Sequence, residues 1–226
     1  MFWSRPLKTL EQICDGILAK PKALDSLANK ETARLLCISD SHGDKSIVSD
    51  IIRKFGSEAD AIVFTGDGIS DLMSVIENGR HYKELNKSLP PVVFFVRGNN
   101  DYSLIQTDFS KSLFVPKKLV IKVANRTILL THGNEEHVYY STDILETTAQ
   151  MENCQVAIYG HTHVPADINH MIYCMNPGSV SLPRAQSPRS FAILEVGSNY
   201  FSPVFYKIDT SITTTFTPYF PQNYSF

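Results

Sequence analysis

The hydrophobic positions between residues 33 and 101 follow two alternating patterns. Three short apolar runs end in polar residues, as buried strands do, and they cover residues 33–40, 61–67 and 91–101. After the first run, apolar side chains recur at offsets of three and four, which indicates the buried face of a helix: Ile47, Val48, Ile51, Ile52 and Phe55. A second helical stretch covers residues 70–76. This order predicts parallel strands joined by helical crossovers.

The second half of the chain is richer in strand patterns. Residues 117–124 and 127–133 have the pattern of a hairpin that turns at Asn125 and Arg126. A helix is predicted over residues 142–152, with Ser141 or Thr142 as its cap. Further apolar runs cover residues 155–163, 171–179, 190–196 and 203–208. The chain as a whole is therefore predicted to form a mixed α/β sandwich.

The two ends of the chain differ from this body. Apolar residues over 7–29 have helical spacing with a turn at Pro21, so residues 1–32 are predicted to form an N-terminal helical appendage. Residues 33–208 would form the main domain. Residues 209–226 are rich in aromatic side chains and carry no charge from residue 210 onward. We expect this tail to pack on the domain or on a neighbouring subunit, in which case the protein is a homo-oligomer.

Composition narrows the classes of function. A length of 226 residues suits one domain. The formal net charge of −2 argues against a general nucleic-acid-binding protein, which would carry a basic surface. Charged residues interrupt the start of the chain, which argues against a signal peptide. No apolar run reaches the ~18 residues of a membrane span. We therefore expect a cytoplasmic protein without membrane contact. Buried, reduced thiols are predicted for the four cysteines, which form no CxxC pair: Cys14, Cys37, Cys154 and Cys174.

Side chains that bind metals follow five of the predicted strands, at the point where each strand ends. In a parallel sheet, ligands collect outside the carboxyl ends of the strands. Within D-x-H and H-x-H, the two side chains project in the same direction from an extended backbone. Each motif alone is commonly a turn, but five in succession predict one metal-binding rim formed by Asp40, His42, Asp67, Asn99, His132, His161 and His163.

This set of side chains suits two divalent cations. Carboxylates and imidazoles without a thiolate favour Mn, Fe, Zn or Ni over Ca or Mg. We expect two Mn ions, with Ni, Fe, Zn and Co as alternatives, and Asp67 as the ligand that bridges them. Two ions ~3.5–4 Å apart activate a water and bind the oxygens of a phosphorus centre under in-line attack. One ion would take Asp40, His42 and His163, and the other would take Asn99, His132 and His161.

The order of the motifs D-x-H, G-D, G-N, H-G and G-H-x-H resembles that of the calcineurin-like metallophosphoesterases, over about residues 33–208. The segment NPGSVSLPR at 176–184 is similar to a subgroup of small prokaryotic phosphodiesterases. The resemblance implies a four-layer α/β/β/α sandwich with a dinuclear site at one edge, held by the same seven ligands. It also implies that a hydroxide bridging the two ions attacks a small-molecule or nucleotide-like phosphoester in line.

One position departs from many members of that family. They carry a histidine after the ligand asparagine, and it protonates the leaving group, whereas this chain has Asn100. Loss of general acid catalysis could slow the release of a poor leaving group by ~10²–10⁴-fold. We therefore predict a phosphodiesterase with Asp67 and Asn100 as its catalytic residues and the leaving group departing towards Asn100. His137 is either a substitute proton donor or a surface residue.

Two alternatives share the fold: a phosphomonoesterase with the same site, and a scaffold protein without efficient catalysis, like one eukaryotic retromer subunit of that family. That subunit departs from the full ligand set, whereas all seven ligands are present here. Other residues have two interpretations each. Asp101 either orients a ligand histidine or stabilises a turn. Arg184 and Arg189 flank a loop rich in proline and serine, and they either steer an anion or are simply solvated. The segment Asn176–Ser179 is predicted to shape the rim through its backbone.

Overall fold

The computed structural model describes residues 10–110 and 112–221. Its helices are α1 (Ala23–Ala28), α2 (Lys45–Phe55), α3 (Ile69–His81), α4 (Lys83–Ser88) and α5 (Asp143–Met151). Its strands are β1 (Glu11–Cys14), β2 (Ile17–Ala19), β3 (Thr32–Ile38), β4 (Ala61–Phe64), β5 (Val92–Phe95), β6 (Leu104–Ile105), β7 (Leu113–Phe114), β8 (Lys118–Val123), β9 (Arg126–Thr131), β10 (Val156–Ile158), β11 (Ala166–Asn169), β12 (Tyr173–Asn176), β13 (Ser190–Gly197), β14 (Phe201–Asp209) and β15 (Thr215–Tyr219).

The strands form two large sheets. Eight strands make the first in the order β1-β2-β5-β4-β3-β13-β14-β15, and five make the second in the order β11-β12-β10-β9-β8. In the first sheet β3, β4 and β5 are parallel, and α2 and α3 lie in the connections between them, as the hydrophobic pattern predicted. In the second sheet β9, β10 and β12 are parallel. The predicted mixed α/β fold is confirmed.

Three apolar cores hold these elements together. The first lies between the helices α2–α4 and one face of the large sheet, and the second lies between the two sheets. Strand β3 contributes to both because successive side chains point to opposite faces: Leu36 and Ile38 to the first core, Leu35 and Cys37 to the second. The third core lies between the small sheet and α5 and includes Leu145. The two sheets therefore pack directly on each other, with helices outside.

The prediction of a helix before residue 20 is wrong. Strands β1 and β2 form a hairpin there, and β2 pairs antiparallel with the edge of β5. Gly16 makes the turn with φ of +76°, and a Cβ on it would lie 2.8 Å from the carbonyl oxygen of Phe95. Ile13 is exposed, so the helical spacing does not mark a buried face. Only α1 is helical in the described part of this segment, and residues 1–9 lie outside it.

The rest of the chain follows the predicted pattern with local differences. The β8–β9 turn lies at Ala124 and Asn125, one residue earlier than predicted, and both residues have positive φ. Strand β15 adds an edge strand to β14, whereas residues 222–226 lie outside the described ranges. The four cysteines are free thiols, as predicted, but Cys14 is exposed and only the other three are buried. None of the described helices is long and apolar enough to cross a membrane.

Candidate metal centre

The ends of β3, β4 and β10 bring four metal-binding side chains into one group. The donor atoms of this group all lie within 4.8 Å of one another, and they belong to Asp40, His42, Asp67 and His163. Asp40 and His42 follow β3, Asp67 follows β4, and His163 follows β10, so both sheets contribute. All but His42, which is partly buried, are buried. The convergence of strand ends that the sequence predicts is therefore present for these four residues.

Distances within the group are short. Nε2 of His42 lies 3.1 Å from Nε2 of His163, and Oδ1 of Asp40 lies 3.3 Å from Nε2 of His163. Oδ2 of Asp67 lies 3.7 Å from Nε2 of His42. Ligand atoms that share one ion at ~2.0–2.2 Å lie roughly this far apart. The arrangement is therefore suitable for one divalent cation.

Two further histidines extend the group beyond these four residues. Nε2 of His132 lies 3.5 Å from Oδ2 of Asp67, and Nδ1 of His161 lies 3.2 Å from Nε2 of His132. The same oxygen of Asp67 therefore lies within 3.7 Å of Nε2 of both His42 and His132. A carboxylate that bridges two ions has to be this close to the ligands of both.

The two asparagines lie in the turn that follows β5. Asn99 and Asn100 are both exposed. Asn100 donates from its backbone N–H to Oδ1 of Asp67 at 2.8 Å and from its side-chain amide to Oδ2 at 2.6 Å. His137 is exposed in the loop after β9, and among the described residues no hydrogen bond joins its side chain to the group. Asn100 therefore contacts the central carboxylate directly, whereas His137 does not.

Backbone carbonyls orient two of the imidazole rings. Nδ1 of His132 lies 2.7 Å from the carbonyl oxygen of Thr65, and Nδ1 of His163 lies 2.6 Å from that of Leu182. A carbonyl can only accept a hydrogen bond, so Nδ1 carries the proton in both rings. The lone pair of each neutral ring is then on Nε2, the atom that faces the carboxylates.

The site contains more acceptors than donors, and a cation balances this. Oδ1 of Asp40 is buried and has no hydrogen-bond partner among the described residues. It faces the Nε2 lone pair of His163, and Nε2 of His42 lies 3.1 Å from the same Nε2 of His163. Lone pairs that converge in this way repel one another unless a proton or a metal ion lies between them. The residues present therefore fit divalent cations.

The ionisable groups of the site perturb one another. Burial would raise the pKa of Asp67, but the neighbouring imidazole of His132 and the two hydrogen bonds from Asn100 hold it well below its usual value. Burial would lower the pKa of His132 and of His163, but the carboxylates Asp67 and Asp40 raise both above that of a free histidine. Burial, and next the charge of His132, lower the pKa of His161. The carboxylates thus attract positive charge to the positions where ions would lie.

The backbone around the group is in an uncommon conformation. Five of its residues have φ between +43° and +69°, in the left-handed region: Asp40, His42, Asp67, His161 and His163. Such residues cost about 1–3 kcal/mol each and are concentrated at functional sites. Gly160 lets the backbone after β10 come close to the end of β3. A Cβ at this position would lie 2.2 Å from Oγ of Ser39 and 2.8 Å from Oδ2 of Asp40.

Asp101 supports the turns and not a histidine, which decides between its two predicted roles. Its carboxylate accepts hydrogen bonds from the backbone N–H groups of Asp67, Gly68, Ile69 and Gly98, at 2.7 to 3.0 Å. Two of these groups belong to the first turn of α3, which has no side-chain cap of its own. Asp101 therefore fixes the backbone on which Asp67 is held.

The end of β12 and the segment that follows it bind loops of both sheets. They do so through side chains, whereas the sequence predicted that Asn176–Ser179 would shape the rim through its backbone. The side-chain amide of Asn176 donates to the carbonyl oxygen of Gly160 at 2.7 Å and to Oγ1 of Thr162 at 3.0 Å. The hydroxyls of Ser179 and Ser181 donate to the carbonyl oxygen of Asp40 at 2.7 and 3.1 Å. This segment therefore ties the loop that carries His161 and His163 to the loop that carries Asp40.

No sequence motif predicted the role of Tyr139. Its hydroxyl donates to the carbonyl oxygen of His161 at 2.8 Å, and its ring centroid lies 4.6 Å from that of His161 at an angle of 63°. The residue is exposed at the edge of the site. Only the fold places it there, because no spacing rule connects it to the H-x-H motif.

Comparison with known proteins agrees with this geometry. Residues 34–199 match the calcineurin-like phosphoesterase superfamily domain. The chain is 28% identical over 173 residues to the probable metallophosphoesterase YsnB of Bacillus subtilis, covering 76% of this chain and 89% of that protein. It is 29% identical over 168 residues to the phosphodiesterase YfcE of Escherichia coli, covering 72% of this chain and 87% of that protein.

A solved structure shares the fold at lower identity. Vacuolar Protein Sorting 29 from Cryptosporidium parvum matches with a TM-score of 0.64 and 19% identity, covering 85% of this chain and 100% of that one. The family match spans every motif that forms the group described above, from Asp40 to His163. The chain therefore belongs to the calcineurin-like phosphoesterase superfamily.

Proposed function

We propose that this phosphoesterase is a metal-dependent phosphodiesterase with two divalent ions, for which Mn is the expected metal. The observation that supports it best is the position of Asp67, whose Oδ2 lies 3.7 Å from Nε2 of His42 and 3.5 Å from Nε2 of His132. One ion would be held by Asp40, His42, Asp67 and His163, and the other by Asp67, Asn99, His132 and His161. Ions bound there supply an activated water and positive charge for the phosphate oxygens.

The residues of the chain fix the geometry of the reaction. The carbonyl groups of Thr65 and Leu182 keep the lone pairs of His132 and His163 directed into the site. The amide of Asn100 lies beside Asp67, where it can donate a hydrogen bond to a phosphate oxygen. This alignment limits the orientations of the substrate and so favours in-line attack.

The preference for diesters follows from the residue at position 100. An amide cannot transfer a proton to the leaving group at neutral pH, so a poor leaving group such as a simple alkoxide of a monoester would depart slowly. A diester with a stabilised leaving group does not need that proton. The name of YfcE, a phosphodiesterase with 29% identity, supports the same choice. The substrate would be a small-molecule or nucleotide-like phosphodiester.

A substrate panel tests this proposal. Turnover of bis(p-nitrophenyl) phosphate and of a simple alkyl monoester, glycerol 2-phosphate, is measured by release of p-nitrophenolate and of phosphate with Mn, Ni, Zn, Co and Mg, and we expect faster hydrolysis of the diester, with Mn most active. Asp67→Ala should lose both turnover and bound metal. Asp60→Ala is the matched control, because Asp60 precedes β4 at the opposite end from Asp67 and should retain both.

Each alternative has its own outcome in this panel. Faster hydrolysis of the monoester would replace the proposal by a phosphomonoesterase. Wild-type turnover by Asp67→Ala would contradict the mechanism. A scaffold function would be supported if the purified protein held no metal by elemental analysis and showed no turnover with added Mn.

A further inference from the structure

The backbone of the loop after Ser181 is hydrogen-bonded to His163, one of the predicted metal ligands. The N–H of Arg184 donates to the carbonyl oxygen of His163 at 3.3 Å. Ser187 closes the loop, since its N–H and its hydroxyl donate to the carbonyl oxygen of Arg184 at 2.9 and 2.6 Å. The hydroxyl of Ser187 also lies 3.4 Å from the carbonyl oxygen of His163. Arg184 therefore has a fixed backbone position beside a predicted ligand.

The side chain of Arg184 lies over an aromatic ring that contacts the second histidine. Its guanidinium carbon is 5.6 Å from the ring centroid of Tyr139. The Tyr139 ring is in contact with that of His161, and its hydroxyl is bonded to the carbonyl oxygen of the same residue. Because the guanidinium is planar, it stacks well on such a ring and loses little freedom when it binds a ligand. Arg184 and Tyr139 thus form a pair at the edge of the centre.

The positive charge of Arg184 is not neutralised by the protein. Within residues 10–110 and 112–221, no carboxylate lies within 4.0 Å of its guanidinium, and its side chain is exposed. Arg189, in the same loop, differs in this respect because it lies 3.7 Å from Asp44. No side-chain hydrogen bond joins Arg184 to any of the predicted ligands in these ranges. It is therefore an unpaired cation outside the ligand group and adjacent to it.

We propose that Arg184, supported by Tyr139, binds a second phosphate group of the substrate. This rests on the proposed function and narrows its substrate class to phosphodiesters that carry a further terminal phosphate. The ions would neutralise the scissile phosphate. The guanidinium is connected to the ligand group through Tyr139 and the backbone of His163, so we assign to it a second anionic group of the substrate. A terminal phosphate fits because the planar guanidinium can donate two parallel hydrogen bonds to its oxygens.

The kinetic test uses two substrates that differ by one phosphate: the p-nitrophenyl ester of thymidine 5′-phosphate, with and without a 3′-phosphate. Both are measured with the full chain in Mn. For the substrate with the 3′-phosphate, Arg184→Gln should raise KM about tenfold and leave kcat within about twofold, since one charge-assisted contact is lost. Arg184→Lys should restore part of the loss. The substrate without the 3′-phosphate should be unaffected.

Two further variants separate binding from folding. Arg189→Gln is the matched control, because it removes a paired arginine of the same loop, and it should leave both substrates unchanged. Tyr139→Leu removes the ring under Arg184 and should raise KM for the bisphosphate substrate, whereas Tyr139→Phe keeps the ring and should change it less. An equal loss on both substrates in Arg184→Gln, or no loss on either, would overturn the assignment.

A binding measurement makes the result independent of turnover. Calorimetry of the Mn-loaded protein with thymidine 3′,5′-bisphosphate should show a Kd about tenfold higher in Arg184→Gln, with little change for thymidine 5′-phosphate. If the wild type hydrolysed neither substrate but retained this difference in Kd, the proposed function would fail and the phosphate site would stand. If the wild type hydrolysed both substrates and Arg184→Gln changed neither KM nor Kd, the proposed function would stand and the phosphate site would fail.

Discussion

The two sheets contribute different chemistry to the same centre. The large sheet supplies both carboxylates, Asp40 and Asp67, and the small sheet supplies three of the four imidazoles: His132, His161 and His163. In the large sheet the supporting hydrogen bonds go mainly to backbone atoms, such as those that Asp101 accepts. In the small sheet they go to ring nitrogens, which fixes the lone pairs of His132 and His163.

This difference shows that neither sheet could form the metal site by itself. Carboxylates provide the negative charge that attracts cations, and neutral imidazoles provide directed lone pairs with no charge of their own. The centre forms only where the apolar core between the sheets brings the two sets together. The segment that holds Asn176, Ser179 and Ser181 then fixes the two loops relative to each other. A substitution among the ligands of one sheet should therefore have effects that the ligands of the other sheet cannot compensate.

The largest effect is expected when the large sheet loses a charge. Asp40→Asn keeps the size of the side chain but removes a carboxylate from the centre. Turnover should fall on the order of 10³-fold, because a neutral amide oxygen binds a divalent ion more weakly and so removes several kcal/mol of charge stabilisation. Metal content by elemental analysis should fall with it.

The same variant should not destabilise the metal-free protein. Asp40 is fully buried and its Oδ1 has no hydrogen-bond partner in the described ranges, so a neutral amide removes a costly charge. Urea unfolding in EDTA should give a midpoint equal to or higher than that of the wild type. Asp44→Asn is the control, because Asp44 caps α2 and is not part of the centre, so its turnover should stay high. A low midpoint for Asp40→Asn would mean that its loss of activity reflects unfolding.

The second effect concerns the backbone that holds the large-sheet ligands. Asp101→Ala leaves four backbone N–H groups without their acceptor, two of them in the first turn of α3. We expect turnover to fall about 10–100-fold, as it does when groups behind metal ligands are lost. The free energy of unfolding should fall by about 1–3 kcal/mol.

A carboxylate at the other end of the same sheet provides the control. Asp60 also accepts a backbone hydrogen bond, from Arg34 at 2.9 Å, and it forms an ion pair with Lys30 at 2.5 Å. Asp60→Ala should lower stability and leave turnover unchanged. If both variants lost stability and turnover in the same proportion, Asp101 would have no specific effect on the centre.

The sequence could predict those parts of the fold and centre that depend on local pattern. Apolar runs that end in metal-ligand residues identify Asp40, Asp67 and His163 because parallel strands end at the same edge of a sheet. The hairpin at residues 11–19 could not be predicted in this way, since β2 is buried only by pairing with β5, more than seventy positions along the chain. The roles of Asp101 and Tyr139 are also non-local. Both depend on hydrogen bonds to loops that only the folded chain brings near.

The smallest expected effect concerns backbone strain at a ligand of the large sheet. His42 has φ of +43°, a conformation that glycine adopts without steric cost and that other residues avoid. Without metal, His42→Gly should therefore be about 1 kcal/mol more stable than His42→Ala, although both lose the same imidazole. Urea unfolding in EDTA measures this difference. Equal stability of the two variants would show that the turn does not store strain. A difference of the expected sign would mean that the protein retains a strained histidine there because the ion, when bound, stabilises that conformation by more than the strain costs.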